Sequence, residues 1–156
     1  MAFRDALDRI VVIEGALSIS ITTPSGDVVT QTVKKAYKHH PRQSQAMPDL
    51  PAIFNSVSLP RVERGTMMRT RHYQVHVQCV VGKAGVDDDQ KLDIATAFLE
   101  EALDAFDEDL SLGNTVTIAT FRGDEPTVGL LEHGREAYIG FSGVLDIQMT
   151  GTFAFS

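Results

Sequence analysis

The sequence offers few side chains able to do chemistry. They are five histidines (His39, His40, His72, His76, His133), one cysteine (Cys79), an acidic triplet (Asp87, Asp88, Asp89), and Glu132-His133 close in sequence to Asp124 and Glu125. His72 and His76 fall in a run of period two, so as strand residues they share a face about 13 Å apart, at ~3.3 Å per residue. One metal ion needs both nitrogens within about 2.1 Å, which that spacing forbids, and solvated polar histidines are expected instead. A single cysteine forms no intrachain disulfide and no Cys-based zinc site by itself. Cys79 shares an alternation face with Tyr73, Val75, Val77 and Val81, and a small buried hydrophobe is predicted there. The acidic triplet lacks the Asp-x-Asp-x-Asp-Gly spacing and closing Glu of a calcium loop, and capping of a following helix by Asp87 explains it better. Gly82-Lys83-Ala84-Gly85 and Thr22-Thr23-Pro24-Ser25-Gly26 match neither the phosphate-binding nor the dinucleotide-binding glycine pattern. Glu132, His133, Asp124 and Glu125 offer acid and base groups without a nucleophile motif, and a solvated loop is expected. The residues therefore predict no catalytic group, no metal site and no cofactor.

The elements that position these groups are more legible. Residues 2–20 are predicted as a helix, with Phe3, Ala6, Leu7, Ile10, Ile13, Leu17 and Ile21 on one stripe. A turn is expected over 22–27, a strand over 28–38 ended by Pro41, and a polar loop over 42–50. A proline-bracketed strand is expected over 51–60, followed by a polar, glycine-containing loop from Arg61 to Thr70. Mobile loops are thus expected near 39–50 and 60–70. The strongest strand is 71–81, with Tyr73, Val75, Val77, Cys79 and Val81 on one face and His72, Gln74, His76 and Gln78 on the other. The strongest helix is 88–109, carrying the stripe Leu92, Ala95, Phe98, Leu99, Ala102, Leu103, Phe106 and Leu110 and stopped by Gly113-Asn114. A strand starts at 115–119, a turn follows at 123–126, and a long strand over 137–155 carries bends at Gly140, Gly143 and Gly151. Strands joined without regular helical crossovers predict an α+β fold, with a mostly antiparallel or mixed β-sheet and two main helices packed on one face.

The chain has 156 residues, the length of one domain, and single-domain organisation over 1–156 is expected. Its net charge of −7 argues against general nucleic-acid binding. No apolar run approaches the ~20 residues of a membrane span, and the acidic N-terminus lacks a signal-peptide layout, so no membrane association is expected. The charge is segregated. Residues 87–109 hold ten acidic side chains and one lysine, whereas 33–72 hold eight lysines and arginines against two acids. Solvated faces are the common outcome of such runs. The sharper expectation is self-complementarity: an acidic helix on one subunit meets a basic edge on the next and closes a ring through a heterologous interface. The candidate contacts are Arg42, Arg61, Arg64, Arg69 and Arg71 on the basic side, and Asp93, Glu100, Glu101, Asp104, Asp107 and Glu108 on the acidic side.

The layout resembles the tail terminator and tail-completion (neck) proteins of long-tailed bacteriophages. The phrases that carry the resemblance are Ala6-Leu7-Asp8-Arg9-Ile10-Val11, Val33 to Tyr37 followed by Leu50-Pro51-Ala52, and Arg71 to Val77. Ala97 to Leu103 and Tyr138 to Ile147 complete it. The resemblance implies a virion structural protein assembled in the bacterial host cytoplasm. It implies a homo-oligomeric ring, a hexamer, that caps the tail-tube protein and meets the head-completion or connector protein, with DNA passing through the ring. It also implies loops that order on assembly, and it brings no catalytic residues. A head–tail connector stopper or a tail-tube subunit is the alternative within this class. A small-molecule-binding or enzymatic α+β domain, with a pocket lined by His72, His76 and Glu132, is the alternative outside it.

Overall fold

A computed structural model of the chain describes residues 3–123 and 126–152. In chain order the elements are α1 (Phe3–Gly15), β1 (Ser18–Thr22), β2 (Val28–Thr32), β3 (Lys35–Tyr37), β4 (Ala52–Gly65), β5 (Met68–Lys83), α2 (Asp88–Asp107), β6 (Ile118–Phe121), β7 (Thr127–His133) and β8 (Glu136–Thr152). The fold is α+β. A six-stranded sheet runs β3-β4-β5-β8-β6, with β7 also paired to β8. It is mixed, because β3 pairs parallel with β4 while every other pair in it is antiparallel.

Period-two patterning sets the layers. Tyr73, Val75, Val77, Cys79 and Val81 of β5 are buried beneath both helices, as the alternation predicts. They meet Ala6, Leu7 and Ile10 of α1, Ile94, Ala95, Phe98, Ala102 and Phe106 of α2, and Phe141, Leu145, Ile147 and Met149 of β8 in one core. Phe3 stacks on Tyr73 at 4.0 Å between ring centroids. The opposite face of the sheet is open, apart from a smaller cluster of Ala52, Phe54, Val80 and Tyr138 packed by Tyr37, Met47, Leu50 and Leu131. Segment 39–50 is a loop, as expected, and lies against that cluster. His40 approaches the Phe54 ring at 5.9 Å, and His133 Nε2 lies 2.7 Å from the carbonyl oxygen of Gln45.

Several expectations are corrected. The N-terminal helix ends at Gly15, and 18–22 is a strand hairpinned to β2. Ser18-Ile19-Ser20-Ile21-Thr22 alternates and is rich in β-branched residues; Leu17 and Ile21 fit a helical stripe only because i, i+4 also preserves strand parity. The predicted strand 28–38 is two strands. The chain changes partner at Val33-Lys34, whose N–H groups donate to the carbonyls of Leu17 (3.1 Å) and Pro51 (2.7 Å). The predicted loop 60–70 is the end of a β-hairpin: β4 runs to Gly65, β5 begins at Met68, and Arg61, Val62, Glu63, Arg64 and Gly65 pair with His72, Arg71, Thr70, Arg69 and Met68. Arginine and threonine side chains tolerate a strand whose two faces are both wet, so polarity there does not signal a loop.

Asp87 does not cap α2 through its side chain. It sits at φ 53°, and the first-turn Asp88 instead accepts the Gly85 N–H at 2.8 Å. On α2 the buried stripe includes Ile94, while Leu110 lies beyond the helix and is exposed. The strand expected from 115 begins at Ile118. β7 lies in a stretch where no strand was predicted. The expected bends in β8 include a register shift opposite Gly140, between Val80 and Gly82. Phe153 and Phe155 of the predicted last strand, and Asp124 and Glu125, lie outside the described residues. No described helix is long and apolar enough to cross a membrane.

Candidate functional site

The two segregated charge fields occupy different structures. All six acidic candidates (Asp93, Glu100, Glu101, Asp104, Asp107, Glu108) are exposed on the outer side of α2 or at its C-terminal cap. Period 3.6 puts the apolar stripe inward and leaves the carboxylates outward. Among the described residues, none of the six forms an ion pair with a cation of the same chain. The neighbouring Asp109 does. Its carboxylate accepts from Arg9 Nε at 3.0 Å and from the Gly113 N–H at 2.9 Å, and the backbone bond first, then Arg9, holds its pKa below the usual carboxylate range. This tie fixes the end of α2 to α1.

The basic candidates other than Arg42 lie on the outer end of the β4–β5 hairpin, an arm whose inner strand β5 stays paired with β8 as far as Met68↔Thr152. Residues 52–55 of β4 are buried, whereas every residue from Ser56 to Gly65 is exposed. Beyond Tyr37↔Phe54, β4 has no strand on its outer edge among the described residues. Pro60 and a register shift between Ser58 and Arg61 interrupt that edge, two devices that discourage indiscriminate strand addition. The arm also exposes apolar side chains: Val57, Leu59, Val62, Met67 and Met68 are each between about a third and a half accessible.

Directly opposed residues of an antiparallel pair share a face, so register sorts the arginines. Arg61 opposes His72 on the open side. There Arg61 Nη2 lies 3.0 Å from Glu63 Oε1 and 3.3 Å from His72 Nε2, a cluster satisfied within the arm. Arg64 opposes Arg69 and Val62 opposes Arg71 on the helix side. Arg71 lies over the Tyr73 ring, 5.7 Å from its centroid. Arg42 stands apart, exposed in segment 39–50, with its backbone N–H donating to Gln45 Oε1. The structure thus brings Arg61, Arg64, Arg69 and Arg71 onto one arm and leaves Arg42 elsewhere.

The pocket expected of a small-molecule binder, with His72, His76 and Glu132 together, is not formed. His72 lines a groove of about 580 Å³ with Arg61, Gln74, Arg122 and Asp146; Glu132 lines a second depression with His40 and His133; His76 lines a third. In the groove beside His72 Arg122 donates to both oxygens of Asp146, at 2.7 and 3.0 Å. No group of three His, Cys, Asp or Glu residues suited to a metal ion occurs among the described residues. Burial and the proximity of His76 and His133 hold His40 below the ordinary histidine pKa.

The sequence reading missed one buried polar pair. Glu14 and Asn55 are both fully buried, and Asn55 Nδ2 donates to Glu14 Oε1 at 2.6 Å and to the Tyr37 carbonyl at 2.9 Å. Glu14 Oε2 and Asn55 Oδ1 have no partner. Burial pushes the Glu14 pKa up to about 8, only partly opposed by the Asn55 bond. Burial, and then the Glu14 carboxyl, push the Cys79 thiol up, which makes it a packed hydrophobe rather than a nucleophile. A signal for Glu14 was present, since it follows Leu7 and Ile10 on the apolar stripe of α1. Compared with known proteins, the chain matches no family model and no curated protein.

Proposed function

We propose that the chain is a structural subunit of the tail or neck of a long-tailed bacteriophage, forming a homo-oligomeric ring, a hexamer, that terminates the tail tube and joins it to the head connector. The layout resemblance suggests the class, and the hairpin arm is the observation that carries the reading. A hairpin end whose outer strand is exposed on both faces from Ser56 to Gly65, with a free outer edge and five exposed apolar side chains, gains little by itself in a monomer. A neighbouring copy covers such an arm. Because the arm is unlike the surface elsewhere on the chain, contact between arm and neighbour is heterologous, and a heterologous contact whose rotation closes makes a ring. In this role the chain works by shape and surface, binding tail-tube protein on one side and head-completion protein on the other, while DNA passes through the lumen without sequence recognition.

The test is to add the purified chain to isolated phage tail tubes and examine them by electron microscopy, with sedimentation of the chain alone and with tube protein. Rings at one end of each tube, and tubes that no longer elongate, are expected. A chain that stays monomeric both alone and with tube protein, and decorates no tube end, overturns the reading.

A further inference from the structure

The outer edge of β4 is open over a short, bounded slot. β3 occupies that edge as far as Tyr37↔Phe54, and the buried Asn55 side chain donates to the Tyr37 carbonyl where β3 ends. Pro60, which has no N–H to offer a partner, and the register shift between Ser58 and Arg61 close the slot at its far end. Between these limits lie Ser56, Val57, Ser58 and Leu59, all exposed, with no strand on their outer side among the described residues. Register fixes their faces. Ser56 and Ser58 oppose His76 and Gln74 on the open side, and Val57 opposes Val75 on the helix side. Leu59, two residues on, continues the Val57 face by alternation. Val57 and Leu59 remain 38% and 46% accessible, so the slot offers backbone groups at its rim and two aliphatic side chains on one side.

The chain itself carries a segment of matching length and pattern. β8 pairs with β5 as far as Met68↔Thr152, and the sequence continues Phe153-Ala154-Phe155. In an extended segment two rings at this spacing fall on one side about 7 Å apart, the same repeat as Val57 and Leu59, and the small alanine between them falls on the other. A buried aromatic ring removes roughly 150–250 Å² from water, so two of them supply most of the apolar gain of such a contact. The slot on the same molecule is out of reach. Ser58 opposes Gln74, about 20 Å along β5 from Met68, and a strand added outside β4 lies three strand spacings, about 14 Å, from β8. Phe155, three residues past Thr152, extends about 10 Å at most.

We infer that Phe153-Ala154-Phe155 of one copy of this chain adds as a short strand to the β4 edge of a second copy, beside residues 56–59, with Phe153 and Phe155 against Val57 and Leu59. The contact rests on the oligomeric reading above and names the segment that covers the arm. It is heterologous: each copy gives its 153–155 segment to one neighbour and receives another at β4. Main-chain hydrogen bonds along the edge supply affinity, and the aliphatic pair under the two rings supplies specificity. Pro60 and the bulge leave room for a strand of this length and stop a longer edge from pairing along β4.

With the rings beside Val57 and Leu59, Ala154 falls beside Ser58 whichever way the added strand runs. Mixing a Ser58→Cys chain with an Ala154→Cys chain under mild oxidation, in solution and on tail-tube ends, therefore tests the contact. Cys79 is buried and takes no part. A disulfide joining the two variants is expected. Phe153→Ser with Phe155→Ser should weaken self-association in sedimentation at least tenfold and leave thermal unfolding unchanged. A disulfide formed within one chain that carries both cysteines overturns the docking, since the segment then covers its own molecule. So does a loss of folding stability with association untouched. Ser58→Cys chains that cross-link to one another and not to Ala154→Cys also overturn it, because two β4 edges then pair. Rings on tube ends that give no cross-link between the variants overturn the docking and leave the ring reading standing. Cross-linked open chains that never close on a tube end overturn the ring and leave the docking standing. No cross-link in solution or on tube ends overturns the docking.

Discussion

Glu14 shows how much one residue can depend on a neighbour far away in sequence. It lies on the buried stripe of α1, where spacing alone places it inward, yet its side-chain partner among the described residues is Asn55, 41 residues on. A carboxylate there would be a buried charge with no cation, which is costly, so the neutral acid is the form the core accepts. The sign follows directly. The folded pKa, about 8, lies above the ordinary 4.5, so the folded state binds the proton more tightly than the unfolded chain. Stability is full below pH 4.5 and falls as pH rises from there through about 8, by up to ~1.4 kcal/mol per pH unit. Glu14→Gln keeps the acceptor for Asn55 Nδ2, adds a permanent donor and removes the titration. Urea unfolding across this range should show the slope in wild type and a flatter profile in Glu14→Gln, with the variant the more stable at pH 8. Equal slopes would show that Glu14 stays charged in the fold.

Among the elements, β8 is the most constrained, because β5 lies along one side of it and β6 and β7 along the other. The β5–β8 register slips between Val80 and Gly82, and Gly140 sits opposite that bulge. A Cβ added at Gly140 would overlap the carbonyl oxygen of Cys79, which is backbone and cannot rotate away. At Gly151 it would meet nothing within 4 Å. Gly140→Ala should therefore destabilise by about 3 kcal/mol, the upper end of ordinary overpacking, and Gly151→Ala by less than about 0.5 kcal/mol, as measured by equilibrium unfolding. The sequence presents these glycines as equivalent bends, and only the approach of β5 separates them. The helices divide in the same way. The 3.6-residue stripe of α2 is long enough to stand out from chance, whereas the stripe of α1 runs into an alternating strand that shares its i, i+4 positions.

For the molecule as a whole, the arm separates folding from assembly. The core beneath the helices and the exposed hairpin end share strands but few buried side chains. Changing Leu59, Val62 and Met67 together to Ser should shift folding stability by no more than about 0.5 kcal/mol per site, as for other surface positions. Self-association should fall severalfold in the same variant. Thermal unfolding and sedimentation on one sample check both, and a matched loss of stability would mean that the arm belongs to the core. The net charge of −7 conceals two opposed fields, a basic one over residues 33–72 and an acidic one over residues 87–109, with the rest of the chain also net acidic.

What the sequence determined by itself was periodicity and charge: the two-faced β5, the amphipathic α2, the burial of Cys79, the α+β class and the separation of acid from base. These are local properties, because the repeat of a segment decides which of its side chains share a face. What only the tertiary structure decided was partnership. It showed that residues 61–70 pair as a strand hairpin, that the chain switches sheets at Val33-Lys34, that Glu14 meets Asn55, and that Arg64 faces Arg69. Backbone hydrogen bonding is nearly blind to side-chain identity, so a strand's pattern states which face is buried but not which strand lies beside it. Sheet neighbours are set by the closure of long stretches of chain around a common core, and the arm, the feature on which assembly turns, is a product of that pairing.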